Sequence, residues 1–337
     1  MMKFMNKEKS MKFTKANPRS IKIFATVLGI ATCCIPPTPL RALPQAKTST
    51  GVASQPQQKT FDTPQQAADA MILAVKNDDV PALLEIFGPD GKDFVDTKDS
   101  VQDKNSRAAF AAFAQEKMHV DIDPNNPNRA ILSIGNEDWP TPVPIVKQGG
   151  KWHFDSKAGR TAILDRRIGA NELTAITICR GYNDAQSEYA AVIHDNSGVN
   201  QYAQRIISTP GKQDGLAWQN SDGTWGGPVG ENVAKALQEG YVDKHQPFHG
   251  YYFKTLKGQG PAAPLGQLNY VIEGAMIGGF ALVAVPAEYG VTGIMTFIVS
   301  YDGVVYQKDL GPDSLSIVEK MELYNPDKTW RVTDDED

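Results

Sequence analysis

Residues Asn269–Lys308 read NYVIEGAMIGGFALVAVPAEYGVTGIMTFIVSYDGVVYQK, the densest run of β-branched and aromatic residues in the chain, cut at short intervals by Gly and Pro. That pattern predicts adjacent strands of one antiparallel sheet. Gly278-Gly279 opens the run Phe280–Val285, and Pro286 closes it because proline brings no ladder donor. Asp302-Gly303, set between Thr296–Tyr301 and Val304–Lys308, predicts a two-residue hairpin turn, whose central residues both need positive φ. The stretch reads as a sheet core and offers no evident chemistry.

Upstream, the first residues differ in kind from the rest. Seven lysines and arginines between Lys3 and Lys22 precede the apolar run Ile23–Ile35, then Pro36-Pro37 and small residues up to Ala42. This is the n-, h- and c-region order of a secretory signal, over a run short for a membrane span. The expected cut follows Ala42, although Leu40 stands where a small residue is preferred. A permanent N-terminal anchor and a true start at Met11 are competing readings. A third is a lipoprotein, since Cys33 and Cys34 follow Ile30-Ala31-Thr32 in lipobox-like order, with Thr32 a poor fit. The location expected is periplasmic or secreted, with the membrane touched only through such a lipid anchor.

Residues 1–42 hold eight of the 34 Lys and Arg and one of the 39 Asp and Glu, so the remainder carries 26 basic against 38 acidic residues, a balance of −12. Such a chain repels phosphate backbones, which argues against nucleic acid as a partner. Of the three cysteines only Cys179 lies beyond the signal. It has no intramolecular disulfide partner there, and burial is its expected fate.

After a tether at 43–60, rich in Gln, Ser, Thr and Pro, Thr63-Pro64-Gln65-Gln66 predicts a helix start with a capping box. Ala67, Ala70, Met71, Ala74 and Val75 then recur at helical spacing. A second helix is expected over about Val80–Phe87, stopped by Gly88-Pro89, and a third over about Val101–Met118 with Ala109, Phe110 and Phe113 inward. Asp121–Arg129 reads as a loop. Beyond it the period shortens to two, predicting strands at Ala130–Ile134, Pro144–Lys147 and Lys151–Asp155. Helices followed by a hairpin sheet make residues 61–168 an α+β domain, with a curled, cone-like sheet.

The phrases FDTPQQAADAMILAVKNDDVPALLEIFGPDG and EDWPTPVPIVKQGGKWHFDSKAGR resemble the bacterial family catalogued as domain of unknown function 2950. Further matching blocks are ILDRRIGANELTAI, YAQRIISTPGKQDGLAW, FHGYYFKTLKGQGPAAP and the stretch through KDLGPD. The first half also distantly resembles nuclear-transport-factor-2-like domains. The resemblance implies export and an architecture, and no established reaction.

Ser156–Ile168 is expected to be a linking helix, and Asn171 to cap a second, Glu172–Val192. Its stripe would be Ala175, Ile178, Tyr182, Ala185 and Tyr189, with Cys179 beside it. Residues 169–332 then form a helix-plus-antiparallel-sheet domain, weakly similar to pilin-like globular domains, and 333–337 an acidic tail.

No G-x-S-x-G elbow, H-E-x-x-H or paired-cysteine spacing occurs outside the signal, so the common hydrolase and zinc patterns are missing and no cofactor is implied. SDGTWGGPVGEN lacks the ending of a phosphate loop and reads as a loop with Pro228 near a helix start. Asp195-Asn196-Ser197-Gly198 fits an Asx-type turn better than a calcium loop. Arg166 and Arg167 are candidates to hold an anion, against structural pairing with Glu172 or Asp155. His249 and Tyr251 are candidates to line a pocket, against a half-buried strand start.

Three functional readings follow. The first is a non-catalytic envelope protein that binds a partner protein. The second is a small-molecule binder using an apolar throat in the first domain, lined by Phe113, Trp139 and Trp152. The third is a hydrolase working through paired carboxylates.

Overall fold

The computed structural model describes residues 58–241 and 246–333, all within one compact unit, and the fold is α+β. The expected export signal, Cys33 and Cys34, most of the expected tether and the acidic end beyond Thr333 lie outside the described residues. Among the described residues no helix is long and apolar enough to cross a membrane.

Helices α1 (Pro64–Lys76), α2 (Val80–Phe87), α3 (Lys92–Val95) and α4 (Ser100–Glu116) come first. Thr63 caps the helix as expected, Gln66 N donating to Thr63 Oγ1 at 3.2 Å, while the return bond reaches one residue further back, Gln66 Oε1 accepting from the backbone of Asp62 at 3.1 Å. Such caps are worth about 1 kcal/mol each. Strands β1 (Met118–Asp123), β2 (Asn126–Ile134), β3 (Ile145–Gln148) and β4 (Lys151–Phe154) form an antiparallel sheet in that order. The β1–β2 hairpin occupies much of the segment expected to be loop. Its turn is held by side chains, with Asp123 accepting from the Asn125 backbone at 2.9 Å and Asn126 from that of Asn128 at 3.1 Å.

The inward face of α4 also departs from expectation. Asp103, Ala111 and Ala114 are buried, whereas Phe113 is 53% exposed and Ala109 lies outside. Charged residues stand at inward positions of this helix, and they conceal its true face.

Helix α5 runs unbroken over Ser156–Ala190, 35 residues; at 1.5 Å per residue it is roughly 50 Å long. Asp155 caps it by accepting from Ala158 N at 3.1 Å. Asn171 is therefore no cap. It lies mid-helix, 2% exposed, donating from Nδ2 to Thr292 O and accepting at Oδ1 from Gln102 Nε2, both at 2.9 Å. Gly250 approaches so closely that a Cβ there would stand 2.4 Å from Asn171 Nδ2. The buried stripe is Ala175, Cys179, Tyr182, Ala185, Gln186 and Tyr189, so Cys179 belongs to it and Ile178 sits at its margin.

That stripe packs on the second sheet, in which β5 (Tyr251–Leu256), β6 (Ala281–Pro286), β7 (Met295–Ser300) and β8 (Tyr306–Asp309) run antiparallel, with Arg331–Val332 beyond β8. All six residues of β6 are buried because α5 and α7 (Ser314–Glu319) both pack against this strand. A smaller helix, α6 (Gly230–Glu239), follows the Gly-rich loop.

The Asp302-Gly303 turn differs by one residue from the two-residue form. Ile298 pairs with Tyr306, Gly303 N donates to Ser300 O at 2.9 Å, and only Gly303 of the pair has positive φ, +73°. A turn over Ser300–Gly303 that ends on a left-handed glycine adds a residue to the loop and shifts the register by one.

Two large cores result. One gathers α1, α2, α4 and the first sheet around Leu132, Ile145 and Phe154; the other gathers α5 and the second sheet around Leu282, Phe297 and Tyr324. Leu164, Ile168 and Val291 form a small third cluster where α5 passes from one to the other.

Candidate functional site

Helical spacing in the first half builds a cavity of about 280 Å3. Met71 and Val75 of α1, one turn apart, give one wall, and Leu83 and Phe87 of α2 another. Phe94 and Val95 of α3, Phe154 of β4 and the loop residues Thr141, Pro142 and Val143 close it. Helix α4 contributes Asp103, Ser106, Arg107 and Phe110, the i, i+3, i+4 and i+7 positions of one face. Helix α5 contributes Ile163 and Arg167, again one turn apart. Ser106 is exposed and so marks the mouth.

Three charged groups share this apolar space. Asp103 is 6% exposed, and its two oxygens accept from Thr97 N at 2.7 Å and Thr97 Oγ1 at 3.0 Å. Burial pushes its carboxyl above the ordinary 3.8, against the Thr97 bonds and the charges of Arg167 and Arg107. Arg107 donates from Nε to Asp78 at 2.6 Å and from Nη1 to Val95 O at 3.0 Å. Arg167 donates from Nη1 to Asp93 O at 2.9 Å and from Nη2 to Phe94 O at 3.1 Å. Burial lowers Arg167 from its ordinary 12.5, opposed by Asp103 and Asp93. Thr141 Oγ1 is buried at the wall with no partner among the described residues.

The candidates from sequence do not converge here. Phe113 and Trp139 are 53% and 55% exposed, and Trp152 is a buried residue of the first core, its backbone paired both ways with Phe61 at 2.8 Å. Arg166 is exposed. Arg167 does line the cavity, bonded to the carbonyls of α3 and not to Glu172 or Asp155. Glu172 instead accepts from Ile294 N and Met295 N, each at 2.9 Å.

His249 and Tyr251 sit at the start of β5. Tyr251 is 1% exposed and donates to Met295 O at 2.9 Å; burial, with Glu172 nearby, raises its phenol far above the usual range. His249 has φ +48°, and its Nε2 lies 3.8 Å from Glu239. Beside it the buried Asp99 caps α4 and also accepts from Tyr241 Oη at 3.1 Å and Gly250 N at 2.9 Å. This network ties α4 to the second sheet and has a structural explanation.

Asp195–Gly198 forms a turn, with Ser197 N donating to His194 O and Asp195 accepting from Gln213 N. Among the described residues no three His, Cys, Asp or Glu side chains gather as metal ligands would.

The fold and cavity described above belong to the span that a family comparison also recognises. "Protein of unknown function (DUF2950)" matches residues 58–333. The chain belongs to the DUF2950 family. No curated protein and no solved structure matches it, so the likenesses to nuclear-transport-factor-2-like and pilin-like domains gain no support from those comparisons. For DUF2950 the cavity is therefore read from its own residues. Sequence reasoning missed Asp103, Arg107 and Thr141. The signal available was a D-x-x-x-R pair inside an alanine-rich helix, with charges where its apolar stripe should run.

Proposed function

We propose that this DUF2950 protein is an exported small-molecule binder, and that the helix-lined cavity is its site. The observation that supports this most is an apolar cavity of about 280 Å3 into which Arg107, Arg167 and Asp103 bring charge. Ligand pockets have this character, apolar walls with a few placed polar groups, and this cavity stands just under the lower end of their usual range of about 300–1,000 Å3. Export rests on the signal-like order of residues 1–42 and the acidic remainder. A Ser106→Trp variant should fill the mouth without touching the core. Screened for thermal stabilisation against a library of small apolar compounds, the wild type should show hits that this variant loses. Hits that stabilise both equally would sink the reading.

A protein-binding role draws on a separate feature. Leu265 is 81% exposed at φ +67°, in a loop whose carbonyls at Pro264 and Gly266 accept from the buried Gln259. An exposed leucine in a strained, well-braced loop is suited to contact a partner in the envelope. The hydrolase reading finds no second carboxylate in this cavity, where Asp103 is the lining acid.

A further inference from the structure

The charges around the cavity narrow the class of ligand. A guanidinium has five N–H donors in a planar fork. Among the described residues Arg107 meets acceptors through Nε and Nη1, and Arg167 through Nη1 and Nη2. Arg107 Nη2 and Arg167 Nε have no acceptor there. Neither atom is among the buried polar atoms that lack a partner, so each guanidinium keeps a donor open to water or to a ligand. Asp103 bonds Thr97 through both its oxygens and makes no direct bond to either guanidinium.

The charge balance points the same way. Two cations and one anion line the cavity. Asp78, bonded to Arg107 at 2.6 Å with its own side chain 42% exposed, and Asp93, which bonds Arg160 and also attracts Arg167, stand outside the lining. Counted over the lining residues alone, the wall holds two cations to one anion, and Thr141 Oγ1 adds an unpartnered buried hydroxyl.

Building on the cavity reading above, we propose that the site takes a small apolar monocarboxylate, its tail among Met71, Leu83, Phe87 and Phe110 and its head on Arg107 and Arg167. A carboxylate matches the guanidinium fork in shape and cancels the excess charge. A phosphate monoester, with up to two negative charges, would overshoot it.

The test compares three ligands of one tail length, octanoate, 1-octanol and octylamine, by calorimetry on the full-length protein. Octanoate should bind at least tenfold more tightly than octanol, with octylamine weakest. Arg107→Gln should collapse the octanoate-to-octanol affinity ratio toward one, and Ser106→Trp should abolish binding of all three. Equal affinity for octanoate and octanol in the wild type, a comparison that needs no variant to fold, would overturn the carboxylate assignment and leave the cavity reading standing. Octanoate binding untouched by Ser106→Trp would place the acid elsewhere and overturn the assignment too. The library screen with Ser106→Trp decides the cavity reading separately.

Discussion

Two cavities of nearly equal volume among the described residues, about 280 Å3 in the first half and about 270 Å3 between α7 and the second sheet, treat their cations in opposite ways. In the second, Lys254 Nζ reaches the carbonyls of Val318, Glu319 and Met321 at 3.3, 2.9 and 2.8 Å and the Glu322 carboxylate at 3.2 Å. An ammonium has three donors, and all find protein acceptors at the end of a helix, where the macrodipole also favours a cation. In the first, two guanidiniums retain donors beside apolar walls. A gap beneath a fully matched cation is a packing imperfection, whereas a gap beside unmatched donors has the chemistry of a receptor.

The largest effect that sharpens this contrast lies in the packed core. Phe297, fully buried on β7, should cost about 3–5 kcal/mol when changed to Ala. Phe110→Ala at the half-buried cavity wall should cost under about 1.5 kcal/mol, because space already exists beside it. Urea denaturation measures both, and equal costs would erase the distinction between a dry core and a hollow one.

Next in size is Asp99→Ala. It removes the α4 cap and strands Gly250 N in a buried place, for an expected loss of about 2–3 kcal/mol by the same assay. A neutral result would show that the two halves are not coupled through Asp99.

Lys254→Met should cost only about 1 kcal/mol, since its side chain is 31% exposed and its role is to cap α7. It should also leave octanoate affinity unchanged, unlike Arg107→Gln.

The smallest effect concerns pH. The Asp103 carboxyl holds its proton more tightly in the folded protein than at its ordinary value of 3.8, so the folded state binds more protons just above that pH. Its contribution to stability therefore falls as pH rises above about 3.8 and levels off past the raised folded value. The difference in stability between wild type and Asp103→Asn should shift in favour of the variant as pH climbs from 4 toward 7. A pH-independent difference would mean that the carboxyl is not perturbed by its burial.

The second sheet was legible because its strands announce themselves. β6 is apolar throughout, and glycine and proline mark both of its ends. The first three main helices were legible for the same reason, and α2 ends where Gly88-Pro89 requires. The β1–β2 hairpin was hidden because its outer strand, MHVDID, is half polar, and a burial pattern with no fully covered position leaves little alternation to detect. Asn171 looked like a cap because asparagine is common there; mid-helix it instead serves two partners distant in sequence, Gln102 and Thr292. The cavity was the least legible part. Aromatic residues were the natural candidates for its wall, yet Phe113 and Trp139 face outward, while Asp103 and Arg107 take inward positions usually reserved for apolar side chains. Only the Arg167 end of the site lay within a motif conspicuous in sequence.

Cys179 illustrates a position settled by solvation. Burial pushes its thiol up to about 12, so little thiolate exists near neutral pH and thiol reagents should leave it unmodified in the native protein.

Helix α5 has a consequence for how such a chain can vary over generations. Its early turns supply Ile163 and Arg167 to the cavity, and its later turns lay Ala175, Cys179 and Tyr182 on the second sheet. Inserting or deleting one residue between these segments would rotate one set against the other by about 100°, since each residue advances the helix by that angle. Substitutions can drift along this stretch, but its length is a gear ratio, and lineages that keep both the cavity and the sheet must keep the same number of teeth between them.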